Sequence, residues 1–181
     1  RRDMAPPIGA PLLHEGITYW GTEAGSVHAL SATDGRSLWR VRLGGGVVAT
    51  PVVHRGDLLV ATNADTLYRI DMRTGLVGAR LPLPSTVTAS PAFDGRRLHL
   101  PMHDATHVVV DVVGWRVASV DSLDAVVRAA PVLDRDDAVF LLTDHATVWR
   151  IATHGSATRI AALDGAARAS LAIAAKGLLV G

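Results

Sequence analysis

Short apolar runs separated by polar turns recur along the whole chain, and they do so at a fixed interval. Pro11, Pro51, Pro91 and Pro131 each stand 40 residues after the one before, and Leu171 takes the next place. Each opens a similar phrase: APLLHEGITYWGT, TPVVHRGDLLVAT, SPAFDGRRLHLPM, APVLDRDDAVFLLT and SLAIAAKGLLVG. A fixed period of this kind predicts one supersecondary unit used repeatedly. Within the second period the pattern predicts four strands. Residues 52–54 precede the turn Arg55-Gly56-Asp57, and 58–62 precede Asn63-Ala64-Asp65. Residues 66–71 alternate in the period-2 manner of a sheet, Arg73-Thr74-Gly75 turns the chain again, and 77–83 closes the unit. The period of 3.6 that marks a helix is missing, and the prolines fall at strand starts, where no ladder donor is lost.

A four-stranded meander that is apolar on both faces cannot bury itself. Radial stacking of such sheets buries both faces and leaves only short edges. The expected fold is therefore all-β, a β-propeller of about four and a half antiparallel four-stranded blades. The phase places the end of a preceding blade at 1–9, blades at 10–49, 50–89, 90–129 and 130–168, and the first strands of a further blade at 169–181. Strands left without partners predict a fragment of a seven- or eight-bladed wheel.

Composition agrees with extensive burial: 49% of the 181 residues are hydrophobic and only 19% charged, against ~25% charged in an average domain. No apolar stretch approaches the ~20 residues of a membrane helix. The 18 basic and 17 acidic residues are spread along the chain, so neither a nucleic-acid footprint nor a cationic membrane face is predicted. The chain has no cysteine, which removes disulfides, thiolate metal sites and cysteine nucleophiles together.

At the turn between third and fourth strands the segment Ala29-Leu30-Ser31-Ala32-Thr33-Asp34-Gly35-Arg36-Ser37-Leu38-Trp39 resembles the PQQ-like propeller repeat, A-x-D-x-x-T-G-x-x-x-W. Ala29, Gly35 and Trp39 match, while Ser31 and Asp34 replace its Asp and Thr. The second period keeps Asp71, Thr74 and Gly75 but has Ala79 for Trp. The third keeps Asp111, with Trp115 out of place, and the fourth keeps Gly155 alone. Gly allows positive φ in the turn, Asp or Thr closes it, and Trp is expected to cap the gap to the next blade. The resemblance implies a family that includes quinoprotein alcohol and glucose dehydrogenases, an outer-membrane assembly lipoprotein, and propellers attached to bacterial signalling kinases. It implies an extracytoplasmic setting and a protein or peptide partner. The dehydrogenases hold calcium and quinone with an Asp/Glu/Asn set and usually an adjacent-cysteine disulfide. No position here matches that set, so the expectation is a non-catalytic module without PQQ, calcium or other cofactor. The alternative is a fragment of a quinoprotein dehydrogenase.

Candidate ligand contacts are the polar tips between second and third strands: Glu23, Asn63, Asp65, His103, Asp104, Asp144 and His145. Carboxylates with imidazoles bind cations, but turns also favour Asn, Asp and Gly for backbone reasons. His99, His103 and His107 are spaced by four. In a hairpin only His99 and His107 approach one another, and exposed blade histidines are expected rather than a metal site. Tyr68 and Trp149 occupy equivalent third-strand places and are expected in inter-blade packing, with Tyr19, Trp20 and Trp39. Trp115 is the aromatic expected to be exposed. Gly44-Gly45-Gly46 is expected to be a flexible blade-to-blade crossing. No nucleophile elbow or phosphate loop is present.

Overall fold

The computed structural model describes residues 9–152, 156–163, 171–174 and 177–180. The two compact units are Arg1–Val87 and Thr88–Gly181. The predicted match of Arg1–Gly9 to an outer strand, and that of Gly155 to the repeat turn, lie outside the described residues save for Gly9.

In the first unit, β1 (Leu12–His14), β2 (Ile17–Gly21), β3 (Ser26–Ser31) and β4 (Ser37–Arg42) pair in sequence order as one antiparallel sheet. A second sheet of the same order holds β5 (Val52–His54), β6 (Asp57–Thr62), β7 (Thr66–Asp71) and β8 (Val77–Pro82). The strand bounds read from the pattern hold to within one residue at β6 and β8. The repeat prolines stand just ahead of their strands, outside the ladder.

The second unit repeats the arrangement. One sheet consists of β9 (Ala92–Phe93), β10 (Arg97–Pro101), β11 (Thr106–Asp111) and β12 (Arg116–Ser122). The next contains β13 (Val132–Leu133), β14 (Val139–Leu142), β15 (Thr147–Ile151) and β16 (Ala157–Ala162). A two-stranded sheet pairs β17 (Leu171–Ala174) with β18 (Gly177–Val180). The described residues contain no helix, and none that is long and apolar enough to cross a membrane.

Burial follows strand position. The second strands are buried on both faces: Leu58, Leu59 and Val60 in β6, Leu98 and Leu100 in β10, Val139 and Leu141 in β14. The outer strands alternate or lie exposed, as in β8 and β16. In the first unit one apolar cluster runs across both sheets through Tyr19, Val27, Leu58, Val60, Tyr68 and Ile70, which makes the inter-sheet layer the core. In the second unit Phe140, Leu142 and Val148 pack with Leu171 of β17.

Turn geometry repeats with the strands. The second-to-third strand turn has positive φ at Gly25, Asp65, Ala105 and Ala146. From that turn a backbone carbonyl accepts the N–H of the residue just after the outer strand: Leu43 to Gly25, Leu83 to Asp65, Leu123 to Ala105 and Leu163 to Ala146. The accepting turn residue varies while the hydrogen bond does not, and the donor is a leucine in every blade.

Candidate functional site

In the first unit the turns at 22–25 and 63–65 flank the crossing Gly44-Gly45-Gly46. Asn63 is fastened to it twice: its Oδ1 accepts the Gly46 N–H at 2.8 Å, and its own N–H donates to the Gly46 carbonyl at 2.9 Å. The Gly44 N–H donates to the Tyr68 hydroxyl at 3.2 Å, and the Thr62 hydroxyl donates to the Gly44 carbonyl. A Cβ on Gly46 would lie 2.5 Å from the Glu23 carbonyl oxygen, and one on Gly45 would lie 2.6 Å from the Ala64 Cβ. The crossing is thus a close-packed backbone contact rather than the flexible turn expected: no room exists for side chains at Gly45 and Gly46. Asp65 accepts the Thr86 hydroxyl at 2.6 Å. Glu23 stands exposed.

The second unit treats its tips in the same way. Asp104 accepts the Thr106 hydroxyl at 2.6 Å and its N–H at 3.2 Å. Asp144 pairs with Arg128 at 2.8 Å, and its N–H donates to the Val126 carbonyl. His145 lies 3.9 Å from Asp124, whose carboxylate also accepts the Thr147 hydroxyl and the Trp149 indole N–H. His103 is exposed. The structure therefore places all seven candidates at equivalent turns, but it engages Asn63, Asp65, Asp104 and Asp144 in local bonds. Among the described residues no three His, Asp or Glu side chains form a group that could hold a metal.

The repeat-motif residues close the third-to-fourth strand turns. Oδ1 of Asp71 accepts the Thr74 N–H and hydroxyl and the Arg73 N–H, and the Thr74 hydroxyl bond first holds this carboxyl below its ordinary range. Asp111 accepts the Gly114 and Val113 N–H groups, with the same downward effect. Gly35 and Gly75 take positive φ. Trp39 reaches from β4 to the turn of the next sheet. Its indole N–H donates to the Met72 carbonyl at 2.8 Å, and its ring lies against Gly75. Trp115 occupies the place of those glycines, with φ +48°, and is half-buried rather than exposed. A large side chain in the left-handed region is strained.

The third sheet contains a buried cluster that the spacing of its histidines only partly foretold. His99 of β10 and His107 of β11 stack with ring centroids 5.3 Å apart, and Nδ1 of His99 lies 3.3 Å from Nε2 of His107. Nε2 of His99 lies 3.5 Å from Asp94, and Nδ1 of His107 lies 3.6 Å from Asp121. These histidines are 4% and 0% exposed, which corrects the expectation of exposed blade histidines. The diagonal register of the hairpin, His99 opposite Val109 and His107 opposite Pro101, brings the two rings together. His103, in the turn, stays apart. Burial, then the neighbouring His107, pushes the His99 pKa down to about 4. The neighbouring His107 first holds Asp121 below the ordinary carboxylate range.

A signal for this cluster was present in the repeat itself. The place of His99 is filled by Tyr19, Leu59 and Phe140 in the other sheets, and that of His107 by Val27, Leu67 and Val148. Polar residues at places that are apolar elsewhere in the same repeat must be buried as well.

Comparison with known proteins agrees with the geometry. A family model described as outer membrane protein assembly factor BamB matches residues 2–177. The crystal structure of BamB from Moraxella catarrhalis superposes with a TM-score of 0.80 at 18% identity, covering 96% of this chain and 55% of that one. The β-alanine-activating enzyme of Danio rerio is 32% identical over 89 residues, which is 45% of this chain and 8% of that protein. The chain thus spans about half the length of the solved propeller and a small part of the curated relative. The superposition establishes the fold as a β-propeller built of four-stranded antiparallel blades. With a family match over nearly its whole length and the repeat turns in place, the chain belongs to the PQQ-like propellers described as outer membrane protein assembly factor BamB.

Proposed function

We propose that this propeller is a non-catalytic binding or scaffolding module of a larger bacterial protein, presenting its turn tips to a protein or peptide partner on the extracytoplasmic side. One observation carries the reading. The polar tips that would have to converge on a small ligand are instead tied down by the protein itself, Asp104 within its turn to Thr106, and Asn63, Asp65 and Asp144 to Gly46, Thr86 and Arg128 of the adjoining crossings. Such tips are preorganised shape, which suits recognition of a partner surface. They do not fit a calcium–quinone donor set, because Asp65, Asp104 and Asp144 are already engaged and no three such groups gather among the described residues. The module acts in this reading without PQQ or calcium, and the family name supports envelope scaffolding over attachment to a signalling kinase.

Two measurements test it. Photo-crosslinking residues are placed at Glu23 and His103 of the full-length protein in its own cells, and at exposed Arg36 on the opposite turn of the first blade as control. The expected result is a discrete protein adduct from the tips alone. Dye-linked dehydrogenase activity after addition of PQQ and calcium, lost on their removal, would overturn the reading in favour of a quinoprotein dehydrogenase.

A further inference from the structure

The third blade replaces an apolar layer of its neighbours with ionisable groups in three places at once. The cross-strand pairs Val27–Val41, Leu67–Leu81 and Val148–Ala161 correspond to His107–Asp121. His99 stands where the other blades have Tyr19, Leu59 and Phe140. Buried polar groups are costly unless they bond to one another, so the three replacements make physical sense only together.

Their protons can be counted. Asp94, His99, His107 and Asp121 form a chain with three gaps, of 3.5, 3.3 and 3.6 Å. Each gap is attractive only if a ring N–H stands in it. Two neutral imidazoles bring two N–H groups, and the chain has three gaps. With two protons a bare ring nitrogen faces a carboxylate or the other ring. Buried Nδ1 of His107 and Oδ2 of Asp121 face one another across the longest gap and have no other hydrogen-bond partner.

We propose that this chain is a proton store inside the third blade: His99 and His107 together hold three ring protons and one positive charge between the Asp94 and Asp121 carboxylates, and this charge couples the stability of the blade to pH. The charged groups acting on the pair are Asp94 from the β9–β10 turn, Arg97 on β10 and Asp121 on β12. Oδ1 of Asp121 also accepts the Ala157 N–H of β16, so the same carboxylate ties the third blade to the fourth. A fourth proton is resisted, because burial and the neighbouring ring hold His99 down to about 4.

The sign follows from linkage. Above the ordinary imidazole value of 6.5 the unfolded chain releases both extra protons, while the folded pair as proposed keeps the one that fills its third gap. This stabilisation is complete below that value and is lost as pH rises through the folded titration. Below 6.5 the unfolded chain takes a second proton that the folded pair refuses until about 4, so stability also falls towards acid. Stability of this unit therefore peaks near the ordinary imidazole value.

Ring-nitrogen NMR of the whole protein at about one pH unit above the free imidazole value decides the count, with exposed His103 as internal reference. Three protonated nitrogens among the four of His99 and His107 are expected, and two would overturn the proposal. Asp121→Asn is expected to bring the pair's titration down towards the free imidazole value and to remove the alkaline loss of thermal stability. If that variant does not fold, the count on the unaltered protein still decides. A count of three with stability flat from neutral to alkaline pH would overturn the coupling.

Discussion

The indole Nε1 of Trp39 donates to the carbonyl of Met72, 2.8 Å away in the next blade, while the ring covers Gly75 of the same turn. Tyr19 packs at 5.8 Å from Trp39, and its hydroxyl approaches the same carbonyl at 3.5 Å. One motif residue thus closes the turn of another copy of the motif. This is how a local repeat becomes an inter-blade joint.

Trp39→Phe keeps most of the ring and removes the donor. The expected loss is about 1 kcal/mol, the net worth of one hydrogen bond, read from urea unfolding. A variant as stable as the parent would show that the joint rests on ring contact alone.

Gly75→Ala and Gly35→Ala separate conformational strain from crowding. Both glycines have φ near +70°, but a Cβ on Gly35 meets nothing within 4 Å, whereas one on Gly75 lies 2.8 Å from the Trp39 ring. Gly35→Ala is expected to cost about 1 kcal/mol, and Gly75→Ala about 1 to 3 kcal/mol more. Equal losses would place the whole effect in the backbone angle.

Alanine at Gly46 is expected to disrupt the crossing between the turns at 22–25 and 63–65, because the Cβ meets a backbone carbonyl that cannot rotate away. Gly44→Ala meets only the Tyr68 hydroxyl at 3.2 Å and should be tolerated. Hydrogen exchange of the Asn63 and Val47 N–H groups, which donate to Gly46 and Thr22, reports the difference. Slow exchange preserved in Gly46→Ala would contradict the close-packed crossing.

Asp71 contributes a dependence on acid. Its carboxyl is held below the ordinary 3.8 by the Thr74 hydroxyl and N–H, so its share of stability is present above that value and is lost as pH falls through the folded titration. Asp71→Asn should flatten the melting temperature between mildly acidic pH and pH 3 relative to the parent. An unchanged acid slope would remove Asp71 from the cause.

The period and the turn chemistry were legible before any coordinates because propeller blades repeat locally. Pro11, Pro51, Pro91 and Pro131 mark strand starts, and Asp71, Thr74 and Gly75 close a turn within five residues. The roles of Gly45 and Gly46 were not legible, since the atoms that crowd them belong to turns some 20 residues away on either side. Nor was the commitment of Asp65 to Thr86 or of Asp144 to Arg128, which depends on where each crossing returns to the sheet.

By itself, then, the chain determined strand order and the residues at each turn, because hydrogen bonding within a meander joins neighbours in sequence. Only the tertiary structure decided which polar groups are used up in packing and which stay exposed. His99 and His107 lie eight residues apart, and spacing alone made them a hairpin pair of no evident consequence. Diagonal register set their rings together, Asp94 and Asp121 completed the line from a turn and an outer strand, and packing buried both rings away from solvent.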